Sequence, residues 1–88
     1  MIAGRCRIVN ALGLHARAAA RFVQVAGQFR SQIQVGRAGR TVDGKSILGL
    51  LLLAAARGTE IELTVDGEDE QAAFDALAGL VARGFEEA

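Results

Sequence analysis

The sequence predicts an α+β fold in which one sheet carries helices on one of its faces. The chain has 88 residues, 51% of them apolar, with four Phe and no Trp or Tyr. A chain of this length builds one domain around a small aliphatic core, which we place at residues 1–88. The predicted strands alternate polar and apolar residues, as antiparallel or mixed sheets do when one face meets water. The predicted order of elements is β-α-β-β-α-β-α.

The first strand and the first helix flank a short loop. Residues 5–9 alternate well enough for a strand, and residues 10–13 form the loop that follows. Strong helix formers over residues 16–27 predict a helix that Gly27 ends. Apolar side chains recur on one face of this helix at i, i+3, i+4 and i+7: Ala19, Phe22, Val23 and Ala26. This face is expected to point inward.

A hairpin and a second helix come next. Alternation predicts strands over residues 31–35 and 40–43, and a turn at residues 36–39 joins them into a hairpin. Ser46 is a good N-cap residue for a short, Leu-rich helix over residues 47–56.

The remaining sequence predicts one more strand and one more helix. Arg57 and Gly58 are expected to end the second helix. Residues 60–66 have the cleanest alternation in the chain and put three apolar residues on one face: Ile61, Leu63 and Val65. Residues 69–83 predict a third helix, with acidic residues in its first turn and Gly84 just beyond its last.

Positive and negative charges are separated along the chain. Residues 1–57 hold nine basic residues and one acidic residue, whereas residues 58–88 hold nine acidic residues and one basic residue. The two parts therefore carry formal charges of +8 and −8, and an anionic ligand should favour the first part. If both parts interleave in one compact domain, these charges mostly offset each other instead.

Several protein classes are disfavoured by what the sequence lacks. Cys6 is the single cysteine and cannot form an internal disulfide, and the first residues lack the pattern of a signal peptide, so we expect a cytoplasmic protein. The longest apolar stretch, residues 47–56 with Gly49 as its one interruption, is too short to span a membrane. One His and one Cys cannot build a zinc site, and we expect no metal and no cofactor. No aromatic residue falls on a predicted strand, so nucleic-acid binding is not expected.

The single histidine, His15, is predicted at the start of the first helix. There it faces the unpaired N–H groups of Ala16, Arg17 and Ala18 and the positive end of the helix dipole, which together form a ready site for an anion. This environment favours a neutral ring whose nitrogen can attack a phosphoryl group. Arg17 can add a forked hydrogen bond to phosphate oxygens, and Arg21 lies one turn further along the same side. The alternative is a histidine that merely caps the helix.

Ser46 and the helix that follows it each have two interpretations. Ser46 is either a structural N-cap or a candidate for regulatory phosphorylation, because a helix N-terminus tolerates added negative charge. The helix carries more apolar surface than one buried face can absorb. One side holds Ile47, Leu50, Leu53 and Ala54, and the other holds Leu48, Leu51, Leu52 and Ala55. We favour an exposed apolar patch that docks partners over a crowded core.

A third hypothesis concerns residues 39–46, which match the G-x-x-x-x-G-K-[ST] pattern of a nucleotide-binding loop. Such a loop follows a buried apolar strand, whereas here Gly36-Arg-Ala precedes the first glycine, and Thr41 and Val42 are typical of a strand. The chain is also too short for the parallel sheet that nucleotide binding needs. Nucleotide binding is therefore disfavoured and is kept only to be tested.

A resemblance to a known family rests on two separated motifs. The first is Gly13-Leu-His-Ala-Arg-Ala-Ala19, and the second is Lys45-Ser-Ile47 with the Leu-rich run and Gly58 after it. Both motifs, the order of elements and the chain length resemble the histidine-containing phosphocarrier protein (HPr) family of the bacterial phosphoenolpyruvate-dependent phosphotransferase system. The resemblance implies an open-faced β-sandwich, in which a four-stranded antiparallel sheet carries three helices on one face.

The resemblance also implies a function and assigns residues to it. Members accept a phosphoryl group from phosphorylated enzyme I, itself charged by phosphoenolpyruvate, and pass it to an enzyme IIA histidine, in sugar uptake or in nitrogen-related regulation. By resemblance, His15 accepts the phosphoryl group, Arg17 stabilises it, and Ser46 is the regulatory site of a serine kinase and phosphorylase. Partner docking falls to residues of the first two helices: Ala16, Ala20, Arg21, Ile47, Leu48 and Leu51. Such a protein is a phosphoryl carrier rather than a stand-alone enzyme, and we expect a monomer.

One residue departs from the family pattern. The family usually has Pro directly after the arginine, and this chain has Ala18. The change frees one N–H at the helix start but loosens the first turn, so we expect phosphotransfer to survive with an altered rate. The strongly aliphatic second helix resembles the nitrogen-related branch of the family. The alternative function is a non-catalytic regulatory module that docks partners through the helix-two patch.

Overall fold

The fold contains one antiparallel sheet, in a computed structural model that describes residues 1–87. The strands are β1 (Ile2–Arg7), β2 (Gln32–Arg37), β3 (Arg40–Asp43) and β4 (Glu60–Asp66). Their order across the sheet is β1-β4-β2-β3, and each neighbouring pair is antiparallel. β4, the last strand in the chain, therefore lies between β1 and β2.

Three helices and a short 3₁₀ turn complete the fold. The helices are α1 (Ala16–Ala26), α2 (Ile47–Leu52) and α3 (Glu70–Ala82), and the C-terminal turn spans Gly84–Glu86. The predicted order β-α-β-β-α-β-α and the four-stranded antiparallel sheet are confirmed. Among residues 1–87, no helix is long and apolar enough to cross a membrane.

The sheet buries one face against the helices. On β4, Ile61, Leu63 and Val65 are at most 1% exposed, whereas the side chains of Glu60 and Glu62, which alternate with them, face solvent. Large side chains that are fully buried come from strands, helices and connecting segments: Ile8, Phe22, Ile33, Leu50, Leu77, Leu80 and Phe85. The alternation in β4 thus separates the aliphatic core from an open, polar face of the sheet.

The first strand lies earlier than the alternation predicts. The sequence places it at residues 5–9, but β1 begins at Ile2 and ends at Arg7, because its antiparallel partner β4 pairs with it only over that range. Ile8 remains fully buried and exchanges backbone hydrogen bonds with the loop ahead of β4. The length of the partner strand, not the local alternation, sets the ends of β1.

α2 is shorter than its Leu-rich sequence predicts. The prediction that this helix continues to Arg57 and Gly58 is wrong, because α2 ends at Leu52. Two side chains of the β2–β3 hairpin explain the early end: Arg37 Nη1 and Arg40 Nη1 each donate to a backbone carbonyl at the end of α2, both at 3.1 Å. These hydrogen bonds satisfy carbonyl groups that have no partner within the helix. The chain is then free to leave the helix and pack against the loop before α1.

A carboxylate fastens the start of α3 to the segment between α1 and β2. Asp69 accepts hydrogen bonds from the backbone N–H of Arg30 at 2.8 Å, from the backbone N–H of Ser31 at 3.0 Å and from the Ser31 hydroxyl. The hydrogen bond from the Ser31 hydroxyl is the largest of several that hold the pKa of Asp69 below its usual value. Ser31 itself is 1% exposed, so this contact lies at the edge of the buried core.

We expect the protein to lose stability in acid partly through Asp69. Because the pKa of Asp69 is lower in the folded than in the unfolded chain, its contribution is present above the unfolded value of about 3.9 and is lost as pH falls through the folded value. Thermal melts from pH 7 to pH 2 should therefore show Tm falling below about pH 4. Asp69→Asn should lower Tm at pH 7 and reduce its fall in acid. Asp75→Asn, on the exposed side of α3, is the matched control, and an equal change in both variants would contradict this role.

Candidate functional site

A tightly anchored loop brings His15 to the start of α1. Gly13 has a φ of +66°, and a Cβ at this position would lie 2.5 Å from the carbonyl O of Ala55. The Leu14 N–H donates to that same carbonyl at 2.9 Å, and the Leu14 side chain is 5% exposed. Only glycine combines this left-handed conformation with so close an approach. The segment that leaves α2 early therefore fixes the residue before His15.

His15 is the N-cap residue of α1, as predicted, but its side chain does not cap the helix. Its backbone is extended, with φ −82° and ψ −179°, and its carbonyl O accepts the hydrogen bond from the Ala19 N–H at 2.8 Å. The N–H groups of Ala16, Arg17 and Ala18 follow in the first turn, where a helix has no carbonyl partners for them. The His15 side chain therefore stays free of the helix N–H groups, while its backbone closes the first turn.

The His15 ring contacts a carboxylate from the other end of the chain. Its Nε2 lies 2.8 Å from Glu87 Oε1, and Asn10 Nδ2 donates to the same oxygen at 2.8 Å. These hydrogen bonds, the one from His15 above all, hold the pKa of Glu87 below its usual value, and the nearby charge of Arg17 adds to the effect. Sequence reasoning missed this cluster, because 72 residues separate His15 from Glu87 and no spacing pattern links them.

Asn10 is oriented by two acceptors at once. Its Nδ2 donates to the carbonyl O of Gly13 at 2.7 Å and to Glu87 Oε1 at 2.8 Å, so the amide nitrogen must face both. The Asn10 side-chain oxygen is consequently buried without a hydrogen-bond partner among residues 1–87. An orphaned buried acceptor of this kind costs about 1–3 kcal/mol. In this arrangement the single Asn10 side chain holds both the loop at Gly13 and the Glu87 carboxylate.

The two arginines predicted beside His15 have different surroundings. Arg17 is exposed on the first turn of α1, near enough to Glu87 for its charge to affect that carboxyl group. Arg21 Nη1 instead donates to Glu86 Oε1 at 3.0 Å, and Arg83 lies 3.8 Å from the second oxygen of the same carboxylate. The geometry therefore leaves Arg17 available to an anion at the helix start, whereas Arg21 is paired with the C-terminal turn.

The predicted apolar patch is exposed beside α1. Four residues of α2 form this patch, with exposed fractions of 37% to 69%: Ile47, Leu48, Leu51 and Leu52. Leu50 and Leu53 point the other way and are buried. The two predicted sides are wrong in part, since Ile47 is exposed rather than buried with Leu50, and Ala55 is buried rather than exposed with Leu48. α1 packs against α2, and on α1 Ala16 is exposed while Ala20 is half-buried. The candidate docking residues thus lie on two helices that pack against each other.

Ser46 is the N-cap residue of α2, and the loop before it lacks the free N–H groups of a nucleotide-binding loop. The Ser46 Oγ accepts a hydrogen bond from the Gly49 N–H at 3.0 Å. The backbone N–H groups of Gly44, Lys45 and Ser46 are all bonded internally, to the carbonyl O of Ile33 and to two oxygens of Asp43. A nucleotide-binding loop needs such N–H groups free for phosphate oxygens. The hypothesis of nucleotide binding at residues 39–46 is therefore wrong.

Comparisons with known proteins agree with this fold. A family model described as "PTS HPr component phosphorylation site" matches residues 2–83. The phosphocarrier protein HPr of Cupriavidus necator is 54% identical over 80 residues, which cover 91% of this chain and 90% of the relative. The crystal structure of HPr-C-His from Thermoanaerobacter tengcongensis has a TM-score of 0.95 and 41% identity and covers 100% of this chain and 99% of its own. A structure titled as an HPr dimer from the same organism has a TM-score of 0.79 and 43% identity, with 92% of this chain and 93% of its own covered.

Proposed function

Because the chain belongs to the HPr family of phosphocarrier proteins of the phosphotransferase system, we propose that it carries its phosphoryl group on His15. The observation that carries this proposal is the place of the single histidine, on the N-cap residue of α1 with Arg17 in the first turn. A ring nitrogen can attack a phosphoryl group there without a metal ion. The protein then acts as a carrier whose phosphohistidine is transient.

The start of α1 supplies the electrostatic part of the proposed site. The N–H groups of Ala16, Arg17 and Ala18 can donate to phosphate oxygens, and the helix dipole favours the added negative charge. The Arg17 guanidinium can bind two phosphate oxygens at once. A phosphoryl group typically adds a charge of about −1.5 to −2. The helix N–H groups and the Arg17 guanidinium are already positioned to stabilise that negative charge. Ala18 leaves its N–H available at this helix start, where the usual Pro would have none.

We propose that the phosphoryl group arrives from phosphorylated enzyme I and leaves to an enzyme IIA histidine. Proteins of this family act with enzyme I and enzyme IIA partners. Docking is assigned to the surface shared by the first two helices, namely Ala16, Ala20, Arg21, Ile47, Leu48 and Leu51. Exposed apolar side chains beside a reactive residue favour such docking, because their burial in a complex stabilises it. The acceptor belongs either to sugar uptake or to nitrogen-related regulation.

Ser46 is proposed as a second, regulatory site of phosphorylation. It is half-buried, and its Oγ already accepts a backbone hydrogen bond at the start of α2. A phosphate there would add charge next to the apolar patch, which begins at the following residue, Ile47. Because charge beside an apolar interface opposes docking, phosphorylation of Ser46 should weaken partner binding.

The test is exposure of the purified chain to phosphoenolpyruvate and enzyme I, followed by intact mass and acid treatment. We expect a phosphate-sized gain in mass that is lost in acid, because phosphohistidine is acid-labile. Adding an enzyme IIA protein of either branch should remove the gain, and the faster acceptor identifies the branch. An acid-stable gain would place the phosphate on a hydroxyl such as that of Ser46. Binding of enzyme I without any gain in mass would favour the non-catalytic docking module instead.

Two features stay predictions. The monomer expected from the sequence has no support in the comparisons, since one solved relative is described as an HPr dimer. The cytoplasmic location likewise rests on the sequence alone. Size-exclusion chromatography of the unphosphorylated and phosphorylated chain addresses the first of these.

A further inference from the structure

We propose that Arg37, on the hairpin of β2 and β3, is a positioning residue for phosphoryl transfer. Its side chain holds the end of α2, and the segment after α2 carries the carbonyl that anchors the loop before His15. This inference rests on the proposed function, since it assigns a role in the transfer step to a residue outside both docking helices. Two hydrogen bonds carry it, from Arg37 Nη1 to the Leu53 carbonyl at 3.1 Å and from the Leu14 N–H to the Ala55 carbonyl at 2.9 Å.

Two arginines lie directly opposite each other on this hairpin. Arg37 and Arg40 are partners in the β2–β3 register, and the two residues between them have positive φ angles, 52° at Ala38 and 80° at Gly39. Like charges at opposed positions destabilise a sheet, and the left-handed conformation is unfavourable for alanine. Both guanidinium groups reach the carbonyl end of α2, where the helix dipole favours positive charge. The end of α2 therefore stabilises a pair of charges that the hairpin alone would oppose.

The backbone just beyond this contact is strained. Ala54 has a φ of 49°, in the left-handed region that residues other than glycine rarely adopt. Such a conformation persists only where the surrounding structure holds it. On one side of it Leu53 is 3% exposed and its carbonyl accepts from Arg37, and on the other side Ala55 is also 3% exposed. The Arg37 hydrogen bond thus fixes the residue directly before the strained one.

The Ala55 carbonyl connects this segment to the proposed site. It accepts from the Leu14 N–H, and a Cβ on Gly13 would lie only 2.5 Å from the same oxygen. A displacement of Ala55 must therefore move the loop that ends at His15. Transfer needs the attacking atom close to phosphorus and in line with the breaking bond, so a small displacement of the ring slows the reaction. Arg37 acts on His15 through these successive contacts and does not touch the phosphoryl group.

The experiment uses variants that separate positioning from stability. Arg37→Met removes the donor but keeps an unbranched side chain, and Arg37→Lys keeps a charged donor. Arg5→Met, on the exposed face of β1, is the matched loss of one positive charge. Arg37→Met is also combined with Ala54→Gly, because glycine adopts the left-handed conformation without strain. Each variant is melted, to show that it folds.

Two readouts are measured on every variant. The first is hydrogen exchange of the Leu14 amide by NMR, without any partner present. The Gly44 amide, which donates to the Ile33 carbonyl at 2.8 Å at the other end of β3, is the internal reference. The second readout is phosphoryl transfer from phosphorylated enzyme I, with kcat and KM measured separately.

Arg37→Met should alter the loop and the transfer step together. Its Leu14 amide should exchange about tenfold faster than in the wild-type chain, with the Gly44 amide unchanged, because only the local anchor is loosened. Its kcat should fall about tenfold, with KM within about twofold of the wild-type value, since the first turn of α2 is not altered.

The other variants should follow from the same contacts. Arg37→Lys should lie between Arg37→Met and the wild-type chain, and Arg5→Met should match the wild-type chain in both readouts. Ala54→Gly alone should have a kcat near the wild-type value. In its presence Arg37→Met should lose little kcat, because the backbone after α2 no longer needs to be held against strain.

Four results would overturn the inference. They are an unchanged Leu14 exchange rate in Arg37→Met, an equal rise in Leu14 and Gly44 exchange, an equal loss of kcat with and without Ala54→Gly, and a rise in KM with kcat at the wild-type value. The second would show a loss of global stability alone, and the last would make Arg37 a docking residue. The failure of the proposed function would look different, since the wild-type chain would take up no phosphoryl group, whereas the exchange readout needs no transfer.

Discussion

A His15→Ala chain is expected to take up no phosphoryl group from phosphorylated enzyme I. His15 is the only histidine of the chain, so no second imidazole can take its place at the start of α1. Removing the atom that forms the N–P bond abolishes the reaction, whereas removing a group that only stabilises phosphate slows it. The phosphate-sized, acid-labile gain in mass that we expect for the wild-type chain should be absent after prolonged incubation.

The fold should survive this change. The His15 side chain is about one quarter exposed, and its one side-chain hydrogen bond among residues 1–87 is to Glu87. The backbone carbonyl of residue 15 still accepts from Ala19, so the first turn of α1 remains closed. A thermal melt and binding of unphosphorylated enzyme I are the controls. An acid-labile phosphate on a folded His15→Ala chain would place the carrier residue elsewhere and refute the assignment.

Elements with a strong local pattern could be predicted from the sequence. β4 has the predicted bounds because apolar residues alternate without interruption from Ile61 to Val65. α1 begins at the predicted residue, and three of the four residues on its predicted inward face are buried: Ala19, Phe22 and Ala26. In both elements one periodicity agrees with one buried face, so local sequence and tertiary packing favour the same answer.

The end of α2 could not be predicted in this way, because distant side chains determine it. The Leu-rich sequence favours a longer helix, yet Arg37 and Arg40 bind its last carbonyls across 16 and 12 residues of chain. The same limit applies to the site. His15 and Arg17 lie within three residues and have a local signal, whereas Glu87 reaches the ring only through the fold. Gly84 follows the C-cap residue of α3 with a φ of +64°, as the sequence predicts, and it also begins the turn that carries Glu87.

Substitutions at two leucines of α2, Leu50 and Leu48, should affect folding and docking separately. Leu50 is fully buried, and Leu50→Ala should lower the free energy of unfolding by about 2–5 kcal/mol, because the core loses apolar contacts and retains a cavity. Since domains of this kind are stable by only about 5–15 kcal/mol, a large part of the stability is then lost. Leu48, two residues earlier, is 69% exposed, and Leu48→Ala should change the free energy of unfolding by less than about 0.5 kcal/mol. Urea unfolding of both variants measures this difference.

Phosphoryl transfer should respond in the opposite order. Leu48→Ala removes an apolar side chain from the proposed docking surface, so KM for phosphorylated enzyme I should rise about fivefold or more, as for a side chain worth about 1 kcal/mol in a complex. Its kcat should stay near the wild-type value, because the Leu48 side chain has no polar group that could bind phosphate or move a proton. Leu50→Ala, studied at a temperature where it is fully folded, should retain most of its affinity. If Leu48→Ala transfers with an unchanged KM, the exposed leucines of α2 do not dock enzyme I, and their exposure must serve a different partner.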